Sequence, residues 1–458
     1  MNSLKFIPII IFAFFASIAF WGCELSKPKL DFGNSCKTCH VTVIQKDHKF
    51  KCVVCHKGNP RSLKKEEAHI GLIKSPSSVE GAKIACAKCH PKEVETASRS
   101  LHYTLDNEIG TIWNAFFPKD TPPTVDGLLN EQPLMTLRGL ISDMIRRRCV
   151  RCHVYSRGDD HPGTRRRLGC GACHMRPSDG PGVHRIYREV SDQNCLSCHH
   201  GNFVGWDYVG RFDKDITEAF QVPFRAGKKE RLSFGVQWLE MTPDVHWRLG
   251  FKCTDCHKKG PCEAHEIDAM PSCMDCHGDI STEIPGHGKD ENRRVACSTC
   301  HALWAFEDRG RTLVRQDIAN YWAWYDLRFQ GINDIKMLLE NNYDVDFMYW
   351  TFPIMRDSFS GNFSQGIWYE TFLERRFWPL KIGKDKNGCL RVLRPLLDIE
   401  VNYIDEDGSV IIGGLRPDGF SENHGFIPYS PHTIGKAHIF RTLRVIKEMG
   451  LGNKKDLQ

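Results

Sequence analysis

Between residues 36 and 301 the chain repeats one pattern, Cys-x-x-Cys-His, nine times. The first three copies supply Cys36, Cys39 and His40, then Cys52, Cys55 and His56, then Cys86, Cys89 and His90. The next three supply Cys149, Cys152 and His153, then Cys170, Cys173 and His174, then Cys195, Cys198 and His199. The last three supply Cys253, Cys256 and His257, then Cys273, Cys276 and His277, then Cys297, Cys300 and His301. Eighteen of the 21 cysteines fall in these copies, so the pattern is no accident of composition. A disulfide framework needs no histidine after every second cysteine. A zinc site needs two cysteine pairs converging on one ion and has no use for an invariable histidine in fifth position.

The pattern suits one chemistry. Two thiols three residues apart can form thioethers with the two vinyl groups on one edge of a haem, and the next histidine then lies under the iron as its first axial ligand. Covalent attachment holds the group where little protein surrounds it. Nine covalently bound haem c groups are therefore expected, at about 30 residues each, too few to wrap each in its own core. Short helices, turns and irregular chain laid over stacked porphyrins follow. Gly-Asn-Pro at 58–60, the prolines at 122–123 and the Gly- and Pro-rich runs at 159–163 and 179–182 fit that texture.

The copies also repeat at a larger scale. First cysteines at 149, 170 and 195 are spaced much like those at 253, 273 and 297, which marks a trihaem module. Histidines outside the motifs keep step: His161 and His265 follow His153 and His257 by eight, and His184 and His287 follow His174 and His277 by ten. His48 follows His40 by eight, and His69 is the stretched counterpart after His56. These six are expected as second axial ligands. His102 and His246 are candidates for the third haem of a module. His200, too close to His199 to share its iron, is a candidate cap for a neighbouring haem. His432 could return from the C-terminal part, ahead of His424 and His438. All other things equal, a lone histidine is a surface or hydrogen-bonded residue; the repeated offsets argue against that here.

The organisation expected is a signal peptide (1–22), a lipoprotein-like linker (23–33) and three trihaem modules (34–105, 149–205, 246–301) with connectors at 106–148 and 206–245. A haem-free α+β domain (302–458) follows. The fold class is a mostly α and irregular haem-wrapped domain plus that small C-terminal domain. Within the latter, 313–329, 334–339 and 438–449 read as helices. Segments 397–404 and 409–415 read as strands of a hairpin turned at Asp405, Glu406, Asp407 and Gly408. At the N-terminus a charge-free run at 6–21 precedes Gly22 and Cys23. This resembles a lipoprotein processing site with Cys23 acylated; an uncleaved anchor and ordinary cleavage are the alternatives, and each places the rest outside the cytoplasm. Cys262 and Cys389 are expected either as one disulfide or as two free thiols.

A hydrophobic content of 41% and a charged content of 26% exclude general disorder. The formal charge of +6 does not point to nucleic acid, since each bis-histidine haem adds roughly −1 oxidised or −2 reduced with its propionates. The arginine runs at 146–148 and 165–167 are expected either to pair with those propionates or to be solvated.

On the nine motifs and the histidine offsets, residues 34–301 resemble the multihaem c-type cytochromes, with modules similar to the trihaem units of class III cytochromes. The resemblance implies low-potential bis-histidine irons and extracytoplasmic electron transfer between redox protein partners, such as other cytochromes or a membrane quinol complex, with membrane attachment through the N-terminus. The alternatives are a multihaem reductase of nitrogen or sulfur oxyanions with one open iron, and a structural subunit of an oligomeric haem assembly. Residues 302–458 lie outside the resemblance.

Overall fold

The computed structural model describes most of the chain between residues 36 and 447. Residues 1–35, 157–165, 214–237, 258–271, 418–425, 448–458 and most of 322–351 lie outside the described residues, as do shorter gaps. The signal-peptide reading and Cys23 thus fall outside, as do Cys152, His161, His200, Cys262, His265, His424 and His438. No helix among the described residues is long and apolar enough to cross a membrane.

Five motifs each form or nearly fill one short helix: Cys36–Cys39, Cys52–His56, Cys170–His174, Cys253–Cys256 and Cys297–His301. A helical turn puts residues i, i+3 and i+4 on one face, so local backbone geometry aims both thiols and the imidazole the same way. The eighth motif opens on a 3-10 turn, Cys273–Asp275, capped by Ser272, whose hydroxyl accepts from the Met274 N–H.

The largest hydrophobic core among the described residues meets the motifs at the fourth, where Val150 joins it and Cys149 packs against it. Helix α1 (Asp106–Phe116) buries Ile109, Ile112, Trp113 and Phe116 at the three- and four-residue spacing of an amphipathic helix. Helix α2 (Val125–Asn130) buries Leu128. Helix α3 (Leu137–Met144), capped by the Thr136 hydroxyl accepting from the Gly139 N–H, buries Leu140, Ile141 and Met144. The stretch expected as a connector shares one core with the C-terminal part, where Leu313, Val314, Trp324, Met355, Trp368, Ile399, Val401 and Tyr403 pack into the same cluster.

A four-stranded sheet forms the C-terminal side. Strand β1 (Arg311–Gln316) lies between β2 (Ile367–Glu370), antiparallel, and β5 (Ile399–Ile404), parallel. Strand β6 (Val410–Leu415) closes the other edge against β5. A three-stranded antiparallel sheet holds β4 (Leu390–Pro395) between β3 (Lys381–Lys384) and β7 (Phe426–Tyr429). The β5–β6 hairpin lies where the sequence expects it, with Gly408 at φ +79° and the Asp405 carboxylate accepting from the Asp407 and Ser409 N–H groups.

The helix expected over 313–329 is corrected in its first part, where 311–316 is a central strand, whereas Tyr321 and Trp324 are helical. Arg315, 1% exposed, stands there among counter-charges. A strand buried on both faces loses the apolar–polar alternation that reveals strands in a sequence. Of the helices expected at 334–339 and 438–449, only Ile335 and Leu338, and Val445 and Lys447, are described, all helical.

From α3 the chain runs through a π-helical turn, Ile145–Cys149, directly into the fourth motif. Arg147, 1% exposed, sits in that turn and donates to the carbonyls of Gln365 (3.0 Å), Ser364 (3.2 Å) and Gly366. Asp143 accepts from Trp368 Nε1 at 2.8 Å and pairs with both Arg147 and Arg315. Arg146 pairs with Asp357. Of the arginines considered for propionates, Arg146 and Arg147 are therefore engaged by the C-terminal part.

Candidate metal centres

Histidine rings meet in pairs. The ring centres of His40 and His69 lie 6.1 Å apart, those of His48 and His90 6.4 Å, and those of His56 and His184 5.9 Å. His102 and His199 follow at 6.3 Å, His246 and His277 at 6.2 Å, and His287 and His301 at 5.9 Å. Each pair joins one motif histidine to one non-motif histidine. An imidazole nitrogen binds a metal at about 2 Å, so two imidazoles on opposite sides of one iron have ring centres about 6 Å apart. The spacing fits the bis-histidine iron of a haem. It is too wide for van der Waals stacking, and the described residues contain no group of three or more His, Cys, Asp or Glu that could hold a bare ion.

The donor set is prepared for that role. His56, His174 and His301 donate from Nδ1 to the backbone carbonyls of Ile73 (2.9 Å), Tyr187 (2.8 Å) and Gly435 (2.9 Å). Such a bond fixes the ring and its tautomer and leaves Nε2 as the ligand nitrogen. His246 is held differently. Asp244, 2% exposed, caps its helix by accepting from the His246 N–H at 2.8 Å and takes the ring Nδ1–H at 2.9 Å. The other Asp244 oxygen accepts from the Ile434 N–H at 2.7 Å.

The fourth motif sits deepest. His153 is 7% exposed, and its Nε2 is buried with no hydrogen-bond partner among the described residues. Burial first, then the nearby His102 and Arg166, pull its pKa down to about 3. Burial also lowers that of His257. Both effects favour the neutral imidazole, the form that ligates. Arg166, 4% exposed, donates to the carbonyls of His153 (3.2 Å) and Ser197 (3.4 Å), tying the fourth motif to the sixth.

Neighbouring motifs touch through their first cysteines. Cys36 contacts Cys52, Cys86 contacts Cys170, Cys195 contacts Cys253 and Cys273 contacts Cys297, each within thiol hydrogen-bond reach. None of these cysteines is in a disulfide. Asn194 links the fifth and sixth motifs, donating to the Ala172 (2.8 Å) and Met175 (2.9 Å) carbonyls.

Seven of the ten expected distal or neighbouring ligands lie among the described residues. His48, His69, His102, His184, His246 and His287 each face a motif histidine. His161, His200 and His265 lie outside the described residues. His432 stands edge-on to Tyr208, ring centres 6.4 Å apart. Cys389 is half-buried beside the ninth motif, near Cys297. Sequence reasoning missed Asp244, although an aspartate opening a helix two residues before a histidine was a readable signal. It also missed Gly435, whose role is a backbone carbonyl that carries no side-chain signature.

Comparison with protein-family models, with curated proteins and with solved structures returned no match.

Proposed function

We propose that this chain is a nonahaem c-type cytochrome that carries electrons outside the cytoplasm, in the periplasm or at the outer membrane or cell surface, between redox protein partners. The observation that carries the reading is the set of six imidazole pairs at 5.9–6.4 Å, each containing a motif histidine. The paired thiols hold nine haem c groups, and histidines supply the iron ligands. Bound haem supplies a reversible one-electron couple. The protein fixes ring orientation through Nδ1 hydrogen bonds and sets spacing through contacts between several of the motifs. The six capped irons leave no place for substrate at those centres, which favours a carrier over a reductase there. The reading includes membrane attachment through an acylated Cys23.

Intact-mass analysis of the exported protein tests it. Nine added haems are expected, with every ferric iron low-spin by electron paramagnetic resonance and the reduced protein inert to carbon monoxide. A bare-chain mass overturns the reading. Nine haems with a high-spin iron that binds carbon monoxide would replace the carrier by the reductase.

The Asp244 carboxylate makes a second expectation. A carboxylate on Nδ1 strengthens the imidazole as a donor and favours the ferric state. Asp244→Asn is expected to move one redox couple to higher potential in a spectroelectrochemical titration while the others stay in place. An unchanged set of couples shows that Asp244 does not tune the iron.

A further inference from the structure

Sequence spacing gives each module its own ligands, because His184 follows His174 by ten residues and His102 follows the third motif in its own module. The structure pairs them otherwise. His184 faces His56 at 5.9 Å, and His102 faces His199 at 6.3 Å. We propose that the first and second modules exchange axial ligands: His184 of the second caps the iron held by His56 in the first, and His102 of the first caps the iron held by His199 in the second. Residues 34–199 are then one six-haem body. This rests on the haem reading above and adds which imidazole serves which iron.

The backbone around both histidines supports the exchange. His184 lies in a two-residue strand, Val183–His184, that pairs in parallel with Val43–Ile44 of the first module, with Ile44 opposite His184. The fifth motif docks on the first module at its start. The Cys170 N–H donates to the Ser77 carbonyl at 2.9 Å, and Gly169, at φ +53°, lies so close that a Cβ there would meet the Ser77 oxygen at 2.1 Å. Only glycine fits both that approach and that backbone conformation. His174 meanwhile keeps its Nδ1 on the Tyr187 carbonyl.

His102 is held from the other direction. Its neighbour Tyr103 is 8% exposed and places its hydroxyl 3.4 Å from Cys170 Sγ. The Tyr155 hydroxyl donates to the Tyr103 carbonyl at 3.1 Å, and Ala97, Tyr103, Val154 and Ala172 form a small buried cluster spanning both modules. The ligands cross where the chain segments cross, at an interface with its own apolar contacts and backbone hydrogen bonds.

Epistasis in the full-length holoprotein tests this. His184→Ala alone is expected to create one high-spin ferric iron. In a Cys52→Ala, Cys55→Ala background, which removes attachment of the haem above His56, adding His184→Ala is expected to create none. In a Cys170→Ala, Cys173→Ala background it is expected to create one as before. The reverse pattern overturns the exchange. Should a cysteine variant fail to mature, crystals of the wild-type holoprotein give the same answer. Anomalous scattering from iron is expected between His56 and His184 and between His102 and His199; a peak between His174 and His184 overturns the proposal. A wild-type mass without haem would instead defeat the underlying reading, so the two failures are distinct.

Discussion

Asp143→Ala is expected to destabilise the core shared by α1–α3 and the C-terminal sheet by about 3–5 kcal/mol, the typical cost of removing one partner from a buried ion pair. The carboxylate stands between two guanidiniums, Arg147 and Arg315, each 1% exposed, and also accepts from Trp368 Nε1. Removing it leaves two buried cations facing each other with one fewer counter-charge. Arg315 keeps Asp317 at 2.9 Å, and Arg147 keeps its backbone carbonyls, so partial compensation holds the loss within that range. Asp143→Asn separates the two contributions, since it preserves an acceptor for Trp368 and deletes only the charge. Differential scanning calorimetry with far-ultraviolet circular dichroism reads the effect. A shift in either variant corresponding to less than about 1 kcal/mol would show that the network contributes little to this core.

On the proposed haem reading, His287→Ala should turn one of nine ferric irons from low-spin to high-spin and, in the reduced protein, raise carbon monoxide binding from nothing to one equivalent. The size of the change follows from geometry: His287 faces His301 at 5.9 Å. His301 itself is fixed by the Gly435 carbonyl, and the Gly435 N–H returns to the His301 carbonyl at 2.9 Å. The proximal side should therefore stay in place while the distal side opens. Mass analysis controls for haem loss, and resonance spectra count the altered iron. An unaltered spectrum with nine haems present removes His287 from the ligand set.

What the sequence disclosed and what it hid divide along a physical line. The motifs were legible because three of their five positions repeat the same residues nine times, as thioether attachment of a haem would require, and the hairpin at Asp405 was legible because its turn needs particular residues. The non-motif histidines could be picked out by repeated offsets, yet their partners could not. His48 and His161 share an offset from a preceding motif, but His48 faces His90, the third motif of its module, rather than His40. An offset reports local spacing, whereas a metal bridge depends on where distant segments cross. Strand β1 was misread because its central arginine is paid no attention by hydrophobic periodicity once ion pairs bury it. The shared core of 106–148 with the C-terminal sheet was hidden for a similar reason: α1 shows an apolar stripe, and a stripe does not say what it packs against.

The C-terminal part touches the array at two separated places. One is the approach to Cys149, through α3 and the Arg146–Asp357 pair. The other is the ninth motif, where Leu390 accepts from the Ala296 N–H and the Thr299 hydroxyl and Leu303 donates to Thr433. The chain that leaves the fourth motif thus comes back, beyond the ninth, to grip the helices it set out from. A part with no Cys-x-x-Cys-His motif braces the fourth motif against the ninth. On the proposed reading, electron passage between fixed carriers falls steeply with every added ångström of gap, so such a brace would hold the spacing on which the relay depends.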